Sequence, residues 1–164
     1  MTIIRHRTGG GSASRPATVE ERLRALEAAE SVRGMLARYA EAVDRKDVEG
    51  LAGLLDRGVE LQIGDQVTRN RESVIEFFEG AFRADPAEKS HFVTNVKTQW
   101  LGNGSIKAHA YFLWTAGEEN RSVIGWGTYE MHAKGQDRPL FTRIVIDIRH
   151  MGAIGDGWAT GPGG

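Results

Sequence analysis

The second half of this sequence consists of four long segments with strand character, separated by turns that contain glycine. The segments cover residues 91–101, 106–115, 122–133 and 140–150. The turn after the first segment contains Gly102, and the turn before the last contains Gly135. In the last segment Ile144, Ile146 and Ile148 alternate with other residues, as expected for a strand with one buried face. Consecutive strands joined by short turns favour an antiparallel meander.

The first half of the sequence carries helical patterns. Thr18 and Glu21 have the spacing of a capping box, in which each side chain satisfies a free backbone N–H of the first turn. Apolar residues then recur at helical spacing as far as Val43. A second, short helix is predicted to begin at the N-cap residue Asp47 and to bury apolar residues as far as Leu55.

A strand and a third helix complete the pattern. Apolar and polar residues alternate over residues 59–63, and Asn70 precedes a helical pattern. Helices followed by long antiparallel strands predict an α+β fold, with three N-terminal helices packed in the concavity of a strongly curved, mainly antiparallel sheet. The domain is expected over residues 18–151. Residues 1–17 predict a disordered tail, and residues 152–164 a flexible glycine-rich tail.

Composition excludes several classes of function. The sequence contains no cysteine, which removes disulfides, thiolate nucleophiles and cysteine-ligated metals. Its 21 basic and 22 acidic residues give no overall field that would attract nucleic acid. No apolar run approaches the roughly 20 residues that a membrane helix needs. We therefore expect a cytoplasmic protein that binds neither nucleic acid nor membrane.

Four residues can support acid–base chemistry. His91 and Asn95 are four residues apart on a predicted strand, which would direct both side chains to one face. Tyr39 and Asp44 lie near the end of the first predicted helix. An imidazole, a phenolic donor and an orienting carboxylate are sufficient to move a proton next to a carbonyl.

Each of these residues also has a structural interpretation. His91 could begin a strand, Tyr39 could be a core tyrosine, and Asn95 could flank a hydrogen-bonded ladder. Asp44 could be a turn residue, since five residues on an ideal helix separate it from Tyr39 by about 140°. The pattern alone leaves these alternatives open.

One strand has the composition of a pocket wall. Ala108 and Ala110 share a face with Phe112 and Trp114, which predicts a concave surface with an aromatic lining. The expected substrate contacts are Phe112 and Trp114, Tyr129 on the next strand, and Asn95, whose amide could hydrogen-bond a substrate oxygen. These residues favour a small hydrophobic or aromatic substrate.

Metal and cofactor signatures are weak. Glu130 and His132 could serve as two metal ligands, but their alternation with Thr128 more simply indicates an exposed or subunit-facing surface. The sequence contains no phosphate-binding glycine loop and no nicotinamide or flavin fingerprint, so no cofactor and no metal are expected. Because a long open sheet needs a partner surface, we expect a homodimer or homotrimer.

Four segments resemble a known family in the order in which they occur. They are residues 32–47, 71–78, 91–95 and 125–130. Together they resemble SnoaL-like proteins of the nuclear-transport-factor-2-like, or cystatin-like cone, superfamily. The resemblance extends from about Ala25 to His150 and implies an α+β cone.

Within that superfamily the pattern is most similar to the scytalone dehydratase and bile-acid dehydratase type. This resemblance implies catalytic roles for His91, Asp44 and Tyr39. Trp114 lies where a further acidic or histidine partner would be expected, and Leu61 replaces the acidic base of ketosteroid isomerase.

The resulting hypothesis is a cofactor-independent lyase or isomerase that performs acid–base dehydration or proton transfer on a small apolar cyclic carbonyl compound. The alternatives are a polyketide cyclase of secondary metabolism and a non-catalytic binding subunit, like the small subunit of ring-hydroxylating dioxygenases.

Overall fold

The computed structural model describes residues 18–118, 121–135 and 138–154. Its elements, in chain order, are α1 (Val19–Asp44), α2 (Val48–Ala52), β1 (Leu55–Ile63), β2 (Gln66–Arg69), α3 (Arg71–Ala84), β3 (Glu88–Gly102), β4 (Ser105–Glu118), β5 (Arg121–Lys134) and β6 (Leu140–Ala153). The predicted N-terminal tail, and the predicted C-terminal tail from residue 155 onward, lie outside the described residues. Strand β6 continues two residues past the expected end of the domain.

The predicted N-caps are present at all three helices. Thr18 and Glu21 form a reciprocal capping box at the start of α1. The side chains of Asp47 and Asn70 accept backbone N–H groups at the starts of α2 and α3. Each cap satisfies a backbone donor that has no partner within its helix.

The end of α2 differs from the prediction. The helix stops at Ala52, and Leu55, predicted to lie in the helix, is the first residue of β1. The backbone N–H of Phe141 donates to the carbonyl of Leu54 at 2.8 Å, at the point where β6 begins to pair with β1. Pairing with β6 therefore places Leu54 and Leu55 outside the helix, although both side chains remain buried.

Six strands form one sheet in the order β2-β1-β6-β5-β4-β3. Strand β1 is parallel to β6, and all the other neighbours are antiparallel. Register shifts interrupt the β3–β4, β5–β6 and β1–β6 pairings, and such bulges bend and twist a sheet. The expected α+β fold, with helices packed against a curved and mainly antiparallel sheet, is confirmed. Strand β2 was not predicted; it pairs with β1 through a turn that contains Gly64 with φ of 58°.

The two faces of the sheet differ. The inner face packs against the helices and forms the core, to which β4 contributes the buried side chains of Ala108, Ala110 and Phe112. No helix of the described residues covers the outer face, which exposes large apolar side chains. Register partners across β3, β4 and β5 place Phe92, Leu113 and Trp126 in one row, with exposed fractions of 56%, 37% and 44%. The homodimer or homotrimer stays a prediction, and this row is a surface that it would bury.

None of the helices among the described residues has the length and apolar character needed to cross a bilayer. The cytoplasmic location stays a prediction.

Candidate active site

A clamp of two hydrogen bonds joins the end of α1 to the start of β3. Asp44, the last residue of α1, accepts the backbone N–H of His91 with Oδ2 at 2.9 Å. Its other oxygen, Oδ1, lies 2.6 Å from Nδ1 of the same histidine. The side chains are 12% and 22% exposed for His91 and Asp44 respectively. Because β3 is an edge strand, the carboxylate also satisfies a backbone donor that no neighbouring strand can reach.

The clamp determines which nitrogen of His91 is available. An ionised carboxylate only accepts hydrogen bonds, so Nδ1 carries the proton that it shares with Asp44. In the neutral imidazole, Nε2 then has a free lone pair. Nε2 makes no hydrogen bond to a residue within the described ranges. His91 is therefore arranged to accept a proton from a ligand.

Asp44 and Tyr39 point in different directions from α1, and His91 lies between the two spaces that they face. Asp44 faces a groove between α1 and β3, whereas Tyr39 lines the cavity inside the cone. His91 borders both spaces. Asp44 thus contacts a residue of the cavity wall without lining the cavity itself.

The cavity beside His91 is lined mainly by apolar side chains and has a volume of about 190 Å³. Helix α3 and the inner face of the sheet supply most of its wall. The aliphatic and phenylalanine part of the wall comprises Val43, Ile63, Phe78, Ala81, Phe82, Phe112, Ile146 and Ile148. An apolar cavity of about 150 Å³ is known to bind benzene, so this cavity has room for one substituted ring.

Two phenols project into the cavity. The residues Tyr39 and Tyr129 are only 1% and 2% exposed, and their rings meet edge to face with centroids 5.8 Å apart. Burial raises the pKa of Tyr39. Burial, followed by the proximity of Tyr39 and Asp44, raises the pKa of Tyr129. Both hydroxyls therefore stay protonated and can donate hydrogen bonds, and neither has a hydrogen-bond partner among the described residues.

Glycines on β5 position the aromatic wall. A Cβ atom at Gly125 would lie 2.5 Å from Nε1 of Trp114, and one at Gly127 would lie 2.7 Å from Cζ of Phe112. Larger residues would displace both rings, and at Gly127 a Cβ atom would also clash with the backbone carbonyl oxygen of Asp147. The space allows Phe112 to stack on Tyr129 with centroids 4.3 Å apart. The structure thus places Phe112, Trp114 and Tyr129 at the cavity, while their contact with a substrate stays a prediction.

Asn95 is the predicted site residue that the structure does not bring to the cavity. It is exposed, has φ of 54° and lies within the register shift between Thr94 and Lys97. The extra residue of this bulge breaks the alternation on which the prediction relied, because Val96 packs against the core instead. Asn95 therefore does not share the inner face with His91, and that part of the prediction is wrong.

Lys89 and Asp85 also line the cavity and were not predicted from the sequence. Their Nζ and Oδ2 atoms are 2.9 Å apart. The sequence pattern predicts a strand that starts at residue 91, but β3 begins at Glu88. Alternation on β3 then directs Lys89 and His91 to the same face. A predicted strand that started at Glu88 would have identified Lys89 as a residue on the face of His91.

Glu130 and His132 lie on the outer face, away from the cavity. Oε1 of Glu130 is 3.2 Å from Nε2 of His132, and its Oε2 is 2.6 Å from Nζ of Lys107. Burial alone would raise the pKa of Glu130, but hydrogen bonds from Lys107 and His132 and their charges lower it overall. Within residues 18–118, 121–135 and 138–154, no group of three His, Asp or Glu side chains could hold a metal ion.

Comparison with known proteins identifies the family. The model of the SnoaL-like domain family matches residues 24–139, which is more than half of the chain. The protein therefore belongs to the SnoaL-like domain family. No curated protein sequence matches this chain.

Similar solved structures agree on the fold. A type 2 hexachlorocyclohexane dehydrochlorinase (LinA) superimposes with a TM-score of 0.75 at 17% identity, covering 87% of this chain and 99% of its own. A protein from Novosphingobium aromaticivorans, described as a scytalone dehydratase, gives 0.70 at 18% identity, with coverage of 80% and 90%. A protein of unknown function with a cystatin-like fold from Nostoc punctiforme gives 0.61 at 14% identity, with coverage of 82% and 96%. At these identities the likeness concerns the fold alone.

Proposed function

We propose that this protein is a cofactor-independent lyase that removes water from a β-hydroxy carbonyl compound with a single ring. The observation that carries the proposal is the clamp between Asp44 and His91, which leaves Nε2 free beside an apolar cavity. A neutral imidazole held in one tautomer is suited to act as a general base.

The reaction divides into two proton transfers. Nε2 of His91 takes the proton from the carbon next to the carbonyl, and the electron pair of that C–H bond moves toward the carbonyl oxygen. The hydroxyls of Tyr39 and Tyr129 donate hydrogen bonds to this oxygen as its charge develops. The electron pair then returns to form the C=C bond while the C–O bond to the hydroxyl breaks. The imidazolium gives its proton to the departing oxygen, so water leaves and His91 is neutral again.

The surroundings favour each step. The carboxylate of Asp44 stabilises the imidazolium that forms, as an acidic partner does in other His–carboxylate pairs. Apolar walls exclude water, which strengthens the hydrogen bonds from the phenols. An isomerase would use the same first proton transfer and return the proton to another carbon atom.

Elimination of hydrogen halide is a second candidate reaction. It is supported by the similar fold of the hexachlorocyclohexane dehydrochlorinase and by the apolar wall of a cavity that has room for one ring. In that reaction halide leaves with the C–X electron pair and His91 must release its proton to solvent. The cavity volume disfavours the longer substrate of a polyketide cyclase, and a cavity with a clamped histidine disfavours a purely non-catalytic subunit.

The experiment is a turnover assay on β-hydroxycyclohexanone and related single-ring substrates, with enone absorbance as the readout. Replacing His91→Ala should lower kcat/KM by about 10²- to 10⁴-fold, the usual contribution of a general base. The matched control is His132→Ala, which removes the other histidine that contacts a carboxylate and should leave turnover unchanged. Circular dichroism checks that both variants fold.

Two outcomes would contradict the proposal. One is the absence of turnover by the wild-type protein on any member of a panel that includes the halide analogues. The other is a His91→Ala variant that retains wild-type turnover.

A further inference from the structure

The cavity contains a lysine that the proposed mechanism does not use. Lys89 and His91 lie on the same face of β3, where their register partners on β4 are Ala116 and Trp114. Two residues along a strand span roughly 6.5 Å, which is comparable to the length of one six-membered ring with a substituent. A ring that offers a proton to His91 can therefore present a second group to Lys89.

The ammonium group is held in place and still has donors available. Asp85 accepts the backbone N–H of Ala87 with Oδ1 at 3.2 Å and contacts Nζ of Lys89 with Oδ2 at 2.9 Å. An ammonium group has three N–H donors. Asp85 is the one partner of Lys89 among the described residues, so two donors remain for a ligand or for water.

The two ends of the cavity differ in exposure and charge. Tyr39 and Tyr129 form the deep end, where burial disfavours negative charge. The side chains of Lys89 and Asp85 are 18% and 36% exposed, so they lie at the solvent end. Among the described residues that line the cavity, Lys89 is the one with a lysine or arginine side chain. A neutral oxygen thus fits the deep end, and an anion fits the mouth, where it keeps part of its hydration.

We propose that the cavity selects single-ring ligands that carry a carboxylate, with the ring among the apolar side chains and the carboxylate on Lys89. This inference refines the substrate class of the proposed function and rests on it for the orientation of the ring toward His91. The carboxylate shares the ammonium with Asp85, because a lysine can donate to two acceptors at once.

The test measures binding by calorimetry with benzoate and benzamide, which have one ring each and differ in charge. Wild-type protein should bind benzoate at least about tenfold more tightly than benzamide, since hydrogen bonds to charged groups are the stronger ones. Replacing Lys89→Met should abolish this preference, and Lys89→Arg should keep it. The matched control is Lys46→Met, which removes another lysine that contacts the same turn, through the carbonyl of Pro86 at 2.8 Å. Its preference should equal that of wild type.

The variant Asp85→Asn tests whether the carboxylate of Asp85 competes with benzoate for Lys89. If Lys89 binds the carboxylate, removing the competing negative charge should strengthen benzoate binding several-fold. If Asp85 and Lys89 only fasten α3 to β3, the same variant should weaken binding or leave it unchanged.

The proposal is overturned if benzoate binds no better than benzamide, if neither binds, or if Lys89→Met retains the preference. It is also overturned if Asp85→Asn weakens benzoate binding or leaves it unchanged. None of these binding measurements needs turnover, so failure of this proposal can be distinguished from failure of the dehydratase proposal. If only the dehydratase proposal failed, His91→Ala would keep wild-type turnover and the preference for benzoate would remain.

Discussion

The His91–Asp44 pair and the His132–Glu130 pair join the same two kinds of side chain, at N···O distances of 2.6 Å and 3.2 Å. The first pair links residues 47 positions apart on different elements, and its carboxylate also binds the histidine backbone. The second joins residues two positions apart on one strand. Tertiary packing therefore fixes the first pair, whereas strand geometry alone brings the second together.

The surroundings of the two pairs differ as well. Asp44 has no basic side chain within ion-pair distance among the described residues apart from His91, so its charge is directed to the imidazole. Glu130 divides its charge between His132 and Lys107. The inner histidine borders a ring-sized cavity, while the outer one lies on an open sheet face. What a His–carboxylate pair can do chemically therefore depends on the space beside it and on the direction in which its free nitrogen points.

The largest expected effect beyond loss of the imidazole itself is that of Asp44→Asn. An amide that keeps its oxygen on the backbone N–H of His91 presents its NH₂ group to Nδ1, which forces the proton onto Nε2. The base then points the wrong way, and an inversion of this kind in a catalytic triad costs about 10⁴ in kcat. We expect a loss of about 10³-fold in kcat, with the changed tautomer visible in the ¹⁵N shifts of the ring.

The matched change in the outer pair is Glu130→Gln, which should leave kcat at the wild-type value. Equal losses in Asp44→Asn and Glu130→Gln would mean that the two pairs do not differ in function. A wild-type kcat for Asp44→Asn would likewise show that the hydrogen bonds between Asp44 and His91 are not needed for catalysis.

The next largest effect concerns the phenols. Tyr129→Phe removes one buried hydroxyl and keeps the ring that stacks on Phe112, so we expect kcat to fall by about 10²-fold, at the lower end of the effect of losing one oxyanion donor. Tyr111→Phe is the control, because that ring lies on the outer face and is 42% exposed. A fall in affinity with unchanged kcat in Tyr129→Phe would indicate binding of the ground state instead.

The elements of the fold could be predicted because local rules agree with tertiary packing. Thr18, Asp47 and Asn70 cap helices where the sequence places them, and alternation marks the long strands. Leu55 and strand β2 could not be predicted in this way. Leu55 lies in a strand because it pairs with the distant strand β6, and the four residues of β2 form a strand because they pair with β1. Neither contact can be inferred from the hydrophobic periodicity of the local sequence.

The site was predictable only in part. The residue types of His91, Asp44 and Tyr39 indicated acid–base chemistry, but their catalytic roles were implied only by a resemblance, since nothing in their spacing places α1 against the edge of the sheet. Asn95 was assigned to the wrong face because a bulge with positive φ leaves no trace in alternation. Lys89 was overlooked because the strand starts earlier than its apolar residues suggest.

The smallest expected effect concerns the stability of the outer pair in acid. The pKa of Glu130 is lowered from its usual 4.5 in the folded protein, so its charge contributes stability that is present above pH 4.5 and is lost as the pH falls below it. The free energy of unfolding of wild type should exceed that of Glu130→Gln by less than about 1 kcal/mol at pH 7, because the side chain is 36% exposed and salt screens the pair.

Urea unfolding at several pH values and two salt concentrations measures this difference, with Lys107→Gln and the double variant completing a cycle. The difference between wild type and Glu130→Gln should shrink as the pH falls below 4.5. A difference that grows in acid, or that is independent of salt, would show that the outer pair is not a partly hydrated charge cluster. In that case its contrast with the inner clamp would rest on the cavity alone.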